Sequence, residues 1–411
     1  MPKLFQINSA LNCGSTGRIA EQIGLLAQRN GYEVYIAHGS RYKNPSQLHS
    51  MQVVTPFEEW CHGVYSLIFD RHGLASTRQT EILVERIAEI HPDIIHLHNI
   101  HGYYLNYEVL FRYLSESEIP VAWTLHDCWS FTGHCCYFDY AGCNKWEEGC
   151  HACQLLHSYP RSLFIDNSRD NYSLKKSAFT SVKNMTLVPV SDWLGGLVKQ
   201  SFLRDYPIHV LHNGTDLKTF SPKSSLDLNR KFGTAGKKYV LGVAAPWSLR
   251  KGLDDVIELS RQLDGSEYQI LLVGLSQKQI RALPSEIIGI ERTQNVQELS
   301  GYYAGADVFI NPTLEDNFPT TNIEALACGT PVVTYNTGGS PEAISSETGL
   351  VVEKGNVAGL AEAVELICQK GKGDYSESCR KRAEELYDKD KCFGEYLCLY
   401  ERLLSDSNVI F

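Results

Sequence analysis

The sequence predicts an α/β protein of two domains, each built on a parallel sheet, and three observations carry that reading. The chain has 411 residues, beyond the length at which a single hydrophobic core keeps growing. Apolar runs alternate with amphipathic helical stretches, the order in which a parallel sheet acquires two covered faces. The alternation then restarts in the second half of the chain.

KLFQIN reads as a strand and Gly14 to Gly17 as a turn; from Arg18, the residues Ile19, Ile23, Leu26 and Ala27 share one helical face. EVYIAHG is a second strand, ILVERIAEI a helix stopped by Pro92, and DIIHLH a third strand, with PVAWTLHD and TLVPVS continuing the series. In the second series KYVLGVAA, YQILLVG, DVFINP and PVVTYN are strands, and LDDVIELSRQL and QELSGYYAGA are helices. The boundary is expected around SFLRDYPIHVLHNGTDL, giving a first domain over residues 1–205 and a second over 206–390. The closing helical stretch, 391–411, suits either domain, and its expected place is packed back on the first.

Apolar residues make up 43% and charged residues 21%, an ordinary globular balance. A formal charge of −10 argues against a nucleic-acid partner, whose docking surface normally shows a basic stripe. MPKLFQINSA turns polar too early for a signal peptide. No stretch approaches the roughly 20 apolar residues of a membrane span. The expected location is the cytoplasm, where the 13 cysteines stay reduced.

Four strand-to-helix crossings carry glycine or charge. NCGSTGRIAEQIG, with Gly14 and Ser15, opens a helix where backbone N–H groups suit an anion, although a tight turn explains the glycines too. Its spacing is not that of a dinucleotide fingerprint. PWSLRKGLDD sets Arg250, a bidentate fork, beside Lys251, a point charge, a pairing suited to a diphosphate. EDNFPTTNIEALACGTPVV places Asp316 and Glu324 on either side of a proline-bearing loop. Acids near a helix start are favoured by its dipole; the same pair would also read hydroxyl groups. TYNTGGSPEAI brings Gly338 and Gly339 to another strand end, where ligands of open α/β sheets bind.

The histidines and cysteines fall in the first half. His96 and His98 share one face of a strand and His101 follows; a neutral polar role is favoured over a metal site. His126 ends the strand of WTLHD, and Asp127 is expected to orient its ring. Directly after it, Cys135, Cys143, Cys150 and Cys153 form a group suited to a structural zinc, with Cys128, Cys136, His134 and His151 nearby. Reduced buried thiols are the alternative. The clear Asp-x-Asp, Asp388 to Asp390, lies in a lysine-studded helix and reads as a solvated face, so no catalytic metal is expected.

DNFPTTNIEALACGTPVV followed by TGGSPE resembles the retaining glycosyltransferases of family four, which have the GT-B fold: two Rossmann-like domains with parallel sheets facing across a cleft. HVLHNGTDLKTFSP is similar to that family's interdomain segment, and RKG at 250–252 and NCGSTGR at 12–18 fit in order. TLHDCWSFTGHC with CNKWEEGCHAC looks like a subgroup associated with bacterial exopolysaccharide and capsule assembly. The resemblance implies metal-independent transfer of a sugar, with retention, from a UDP- or GDP-sugar to a saccharide or lipid-linked acceptor. Peripheral contact with the cytoplasmic face of the inner membrane is part of that expectation.

The resemblance also distributes roles. Glu324 falls on the donor ribose, Asp316 on the sugar hydroxyls, and the backbone around Asn317 and Phe318 near sugar and phosphate. Lys251 falls on the diphosphate, Gly14 and Ser15 near a phosphate, and His126 near the donor sugar. The chain departs from the family in three places: Asp stands for Glu at 316, Ser15 for a glycine, and Pro246 for an arginine whose place Arg250 would take. Two rivals remain at this point, a nucleotide-sugar epimerase on the same fold and a non-catalytic nucleotide- or glycan-binding scaffold.

Overall fold

A computed structural model describes residues 1–234 and 236–407. Two six-stranded parallel sheets organise it. The first contains β1 (Lys3–Asn8), β2 (Glu33–His38), β3 (His49–Gln52), β4 (Ile94–Leu97), β5 (Val121–Leu125) and β6 (Met185–Pro189), in the order β3-β2-β1-β4-β5-β6. The second contains β7 (Lys238–Val243), β8 (Tyr268–Val273), β9 (Ile287–Ile290), β10 (Val308–Asn311), β11 (Val332–Tyr335) and β12 (Gly349–Val352), in the order β12-β11-β10-β7-β8-β9. Each is the doubly wound arrangement, with the strand order reversing beside its first strand. The central strands β4 and β5 are buried along their whole length, which is why they read as mainly apolar runs and not as alternating ones.

Three strands escape the sequence pattern. HSMQ (β3) is a largely exposed edge, IIGI (β9) is interrupted by glycine, and GLVV (β12) is four residues long. A second difference is the first helix, which begins at Gly14 and runs to Arg29 with no four-residue turn before it. Asn12, at φ 46°, takes the left-handed conformation in which the turn is made.

The chain divides into two compact units, Met1–His212 with the chain from Phe393 onward, and Asn213–Cys392. The first unit extends past residue 205 because the following segment runs beside β6. Leu187 N–H donates to the Pro207 carbonyl (2.9 Å), His209 N–H to that of Leu187 (3.0 Å), and Leu211 N–H to that of Pro189 (3.1 Å). The last helix, Lys389–Ser407, begins in the second unit. Asp388 caps it by accepting the Asp390 N–H at 2.8 Å, and Lys389 pairs with Asp216 at 2.8 Å. Asp388 is therefore a capping residue, not part of a solvated helix face. No helix among the described residues is long and apolar enough to cross a membrane.

From Phe393 the same helix belongs to the first unit. Tyr400 Oη lies 2.7 Å from His96 Nδ1, His96 Nε2 lies 2.8 Å from Thr124 Oγ1, and the Thr124 hydroxyl donates to Tyr396 Oη at 3.1 Å. Burial lowers the His96 pKa to about 3, with His126 adding to the effect. The ring is thus a neutral link between sheet and helix. Tyr400→Phe leaves His96 Nδ1 without this partner and is expected to cost about 1–3 kcal/mol. Denaturant titration of the variant against the parent measures it, and an unchanged midpoint would refute the link.

Candidate functional site

The C-terminal unit builds its site from loops at the ends of β7, β10 and β11. After β7 the chain passes a short turn, Leu249–Lys251, into the helix Leu253–Gln262. Gly252 (φ 74°) makes this possible, since a Cβ there would fall 2.0 Å from the Pro312 carbonyl oxygen. The turn is fastened to the loop after β10: Leu314 N–H donates to the Arg250 carbonyl at 2.7 Å, and the Arg250 guanidinium donates to the carbonyl of Glu315. Lys251 Nζ hydrogen-bonds the Asp316 carboxylate. Burial pushes the Asp316 pKa up, but the charges of Lys251 and Arg250, the Lys251 hydrogen bond and the Asn317 N–H outweigh it and hold the group below its ordinary value.

The same loop is held from the other side by the turn after β11. Gly339 N–H donates to the Asp316 carbonyl at 3.0 Å and Thr337 Oγ1 to that of Leu314 at 2.8 Å. Gly338 (φ 55°) is close enough that a Cβ would sit 1.9 Å from the Asp316 oxygen. Glu324 stands one helix further on, in Thr320–Ala327, where Tyr303 Oη donates to it at 3.0 Å. That helix has Pro319 at its N-cap and no side-chain cap, which leaves its positive end to other anions. Arg250, Lys251 and Asp316 thus belong to one fastened group of loops, with Asn317 and Phe318 next in the chain and Glu324 in the helix that follows. Sequence reasoning missed Tyr303, whose helix spacing gave no sign of a polar role.

In the N-terminal unit Gly14 and Ser15 are exposed at the start of the helix Gly14–Arg29, which also lacks a side-chain cap. His126 is placed differently from expectation. Its Nε2 lies 3.2 Å from His98 Nδ1, whereas Asp127 Oδ2 pairs with His101 Nε2 at 2.9 Å. Asp127 therefore orients His101 and not His126, because successive side chains at a strand end point to opposite sides. Burial lowers the His126 pKa to about 4 against the opposing pull of Asp127, so near neutral pH the ring exchanges hydrogen bonds without carrying charge.

The cysteines form no disulfide. Cys135 and Cys153 share a hydrogen bond; it raises the Cys135 pKa, and burial adds to the rise. Cys150 Sγ accepts the Gly133 N–H at 3.1 Å. The four sulfurs of Cys135, Cys143, Cys150 and Cys153 are not among the donor groups that lie within 4.8 Å of one another, whereas His101, Asp127 and Cys136 are. Lys175 is the unforeseen member of this region. It is buried, donates to the carbonyls of Trp129 (2.7 Å) and Thr132 (3.0 Å), and burial lowers its pKa to about 7.

Residues 237–370, which contain every C-terminal site residue above, match the family described as Glycosyl transferases group 1. The chain carries a group 1 glycosyltransferase domain. Among curated relatives it is similar to WcaC of Escherichia coli (strain K12), named for glycosyl transfer in colanic acid biosynthesis, at 23% identity over 76% of this chain and 77% of WcaC. Among solved structures it is similar to sucrose-phosphate synthase from Thermosynechococcus elongatus (TM-score 0.74, 17% identity, 99% of this chain and 100% of that one). It is also similar to Anabaena HepE in complex with UDP (TM-score 0.67, 14% identity, 98% of this chain and 100% of that one). These likenesses show the fold, which is that of the GT-B glycosyltransferases.

Two outcomes follow for the glycosyltransferase domain. Gly338→Ala forces a left-handed conformation on a residue with a Cβ, costing about 1–3 kcal/mol, and the clash with Asp316 should shift the amide resonances of residues 315–318. Unmoved resonances would show that the glycine does not hold the loop. Because the folded pKa of Asp316 is depressed, its ion pair contributes stability that is present above the unfolded value and lost as pH falls through the folded one. Lys251→Ala should therefore destabilise the chain at neutral pH, with the gap to the parent narrowing below about pH 4. Unfolding curves across that range check the sign.

Proposed function

We propose that the chain is a retaining, metal-independent glycosyltransferase that moves a sugar from a UDP- or GDP-sugar to a saccharide or lipid-linked saccharide in bacterial surface-polysaccharide synthesis. The observation that carries this reading is the pairing of Lys251 with Asp316 in a loop group whose next helix, uncapped, bears Glu324. The names of WcaC and of the UDP complex of HepE support the pathway and the donor class.

Breaking the anomeric C–O bond releases a nucleoside diphosphate and leaves an oxocarbenium-like sugar. In this reading the Lys251 ammonium exchanges the Asp316 carboxylate for the departing diphosphate, with Arg250 and the Thr320–Ala327 helix start beside it. Asp316, released from the lysine, accepts hydrogen bonds from sugar hydroxyls, and Glu324 accepts those of the ribose. Both carboxylates are then engaged as acceptors. The transfer is accordingly a same-face displacement in which the departing phosphate takes the acceptor's proton, unlike the paired-acid chemistry of retaining hydrolases.

Charge-assisted hydrogen bonds of this kind contribute about 1.5–3 kcal/mol each, so Glu324→Gln should weaken binding of the free nucleoside diphosphate about tenfold or more. Asp316→Ala should lower kcat/KM for the donor far more than it weakens the free nucleoside diphosphate, since the sugar alone is contacted; Asp316→Glu should keep part of the activity. Calorimetry, turnover and NMR of the product's anomeric configuration are the measurements. Parent-like transfer by both Asp316 variants would remove the residue from the site, and an inverted product would remove the same-face mechanism.

A further inference from the structure

The ends of β4 and β5 gather three kinds of donor that the transfer reaction above does not use. His101, Asp127 and Cys136 each present one ligand atom, and these atoms lie within 4.8 Å of one another. His101 and Cys136 are buried and Asp127 is nearly so, its side chain 11% exposed. Two of the three already have the outer partners a metal ligand needs. His101 Nδ1 lies 3.3 Å from Tyr159 Oη, which can hold that nitrogen's proton and leave Nε2 to the ion; Asp127 Oδ1 accepts the Trp129 N–H at 2.9 Å, which leaves Oδ2. His101 and Asp127 also line a recess of about 10 Å³ with His98 and His126, room for one water-sized ligand.

We infer that His101, Asp127 and Cys136 form a binding site for a borderline-soft divalent cation such as zinc, with a fourth position open to a water from the recess. Imidazole and thiolate select this class of ion over magnesium or calcium. A neutral imidazole, a carboxylate and a thiolate together carry two negative charges, which balance a divalent ion. Binding releases the thiol proton of Cys136 to solvent and leaves the imidazole proton on Nδ1, facing Tyr159. The ion ties Cys136 to the strand ends and so anchors a stretch, from the end of β5 to the helix Ser168–Phe179, that holds two single-turn helices as its only regular structure among the described residues.

The test is titration of the chelator-treated full chain with Co²⁺, reading thiolate-to-cobalt charge transfer and the d–d bands of a tetrahedral ion. The expected result is a charge-transfer band that disappears in Cys136→Ser and weakens at least about tenfold in His101→Gln, while Cys150→Ser keeps it. Tyr159→Phe removes an outer partner and should weaken binding about 10–100-fold; it covers the case in which Cys136→Ser does not fold, which circular dichroism reports. No band in folded parent, the same titration in all variants, or loss in Cys150→Ser alone would each overturn the assignment. The absorbance is independent of glycosyl transfer, so the two readings can fail separately.

Discussion

The carboxamide of Asn322, buried inside the C-terminal unit, joins the end of β10, the helix that bears Glu324 and the turn after β11 in one network. Its oxygen accepts from Asn311 Nδ2 at 2.8 Å, and its nitrogen donates to the carbonyl and hydroxyl of Ser340, both at 3.1 Å. Ser340 Oγ in turn lies 2.6 Å from Thr334 Oγ1, which donates to the Asn311 carbonyl at 2.9 Å. A buried amide is costly unless each of its groups is satisfied, and here one arrangement of chain satisfies them. Apolar packing tolerates small rotations of a helix, whereas this network does not. The spacing between Asp316 and Glu324 is consequently fixed by polar geometry.

Much of this was legible in the sequence, and the parts that were not have physical reasons. Buried parallel strands announce themselves as mainly apolar runs, so the centres of both sheets could be read directly. The edges could not, because HSMQ and GLVV have too little hydrophobic contrast or length to show a period. The loops around Lys251 and Asp316 were visible as charge and glycine at strand ends. Asn322 was not, since a short polar side chain in TTN looks the same whether it faces water or a buried network. Lys175 was hidden for a similar reason: its partners are carbonyls of an irregular segment, and no pattern in a sequence reports where such carbonyls point. The pairing of His126 with Asp127 was an error of adjacency, corrected by the opposite directions of neighbouring side chains.

The two units share a strand order and differ in electrostatic character. The C-terminal site works with permanent charges on loops, and its ammonium and carboxylate already compensate one another. The N-terminal unit instead buries imidazoles. Desolvation lowers His62 and His96 to about 3 and His126 to about 4, so these rings act as neutral donors, acceptors and lone pairs. His134 is the exception: burial works to lower it, and the carboxylate of Asp70, 2.5 Å away, more than reverses this. One architecture thus carries charge-compensating loops in one half and, in the other, an interior where several buried rings are neutral and His134 is paired with a carboxylate.

The last helix gives the chain an order of assembly. His96 and Thr124 lie in the part of the chain that leaves the ribosome early, while their partners Tyr400 and Tyr396 follow 304 and 272 residues later. Domains made first generally fold first during synthesis, yet the sheet of β1 to β6 keeps buried polar groups of its interior waiting until the second unit has been translated. The half that is synthesised first is thereby the half completed last. A chain arrested before residue 396 would hold a finished second sheet and an unfinished first one, and synthesis of the last helix becomes the event that closes the N-terminal core.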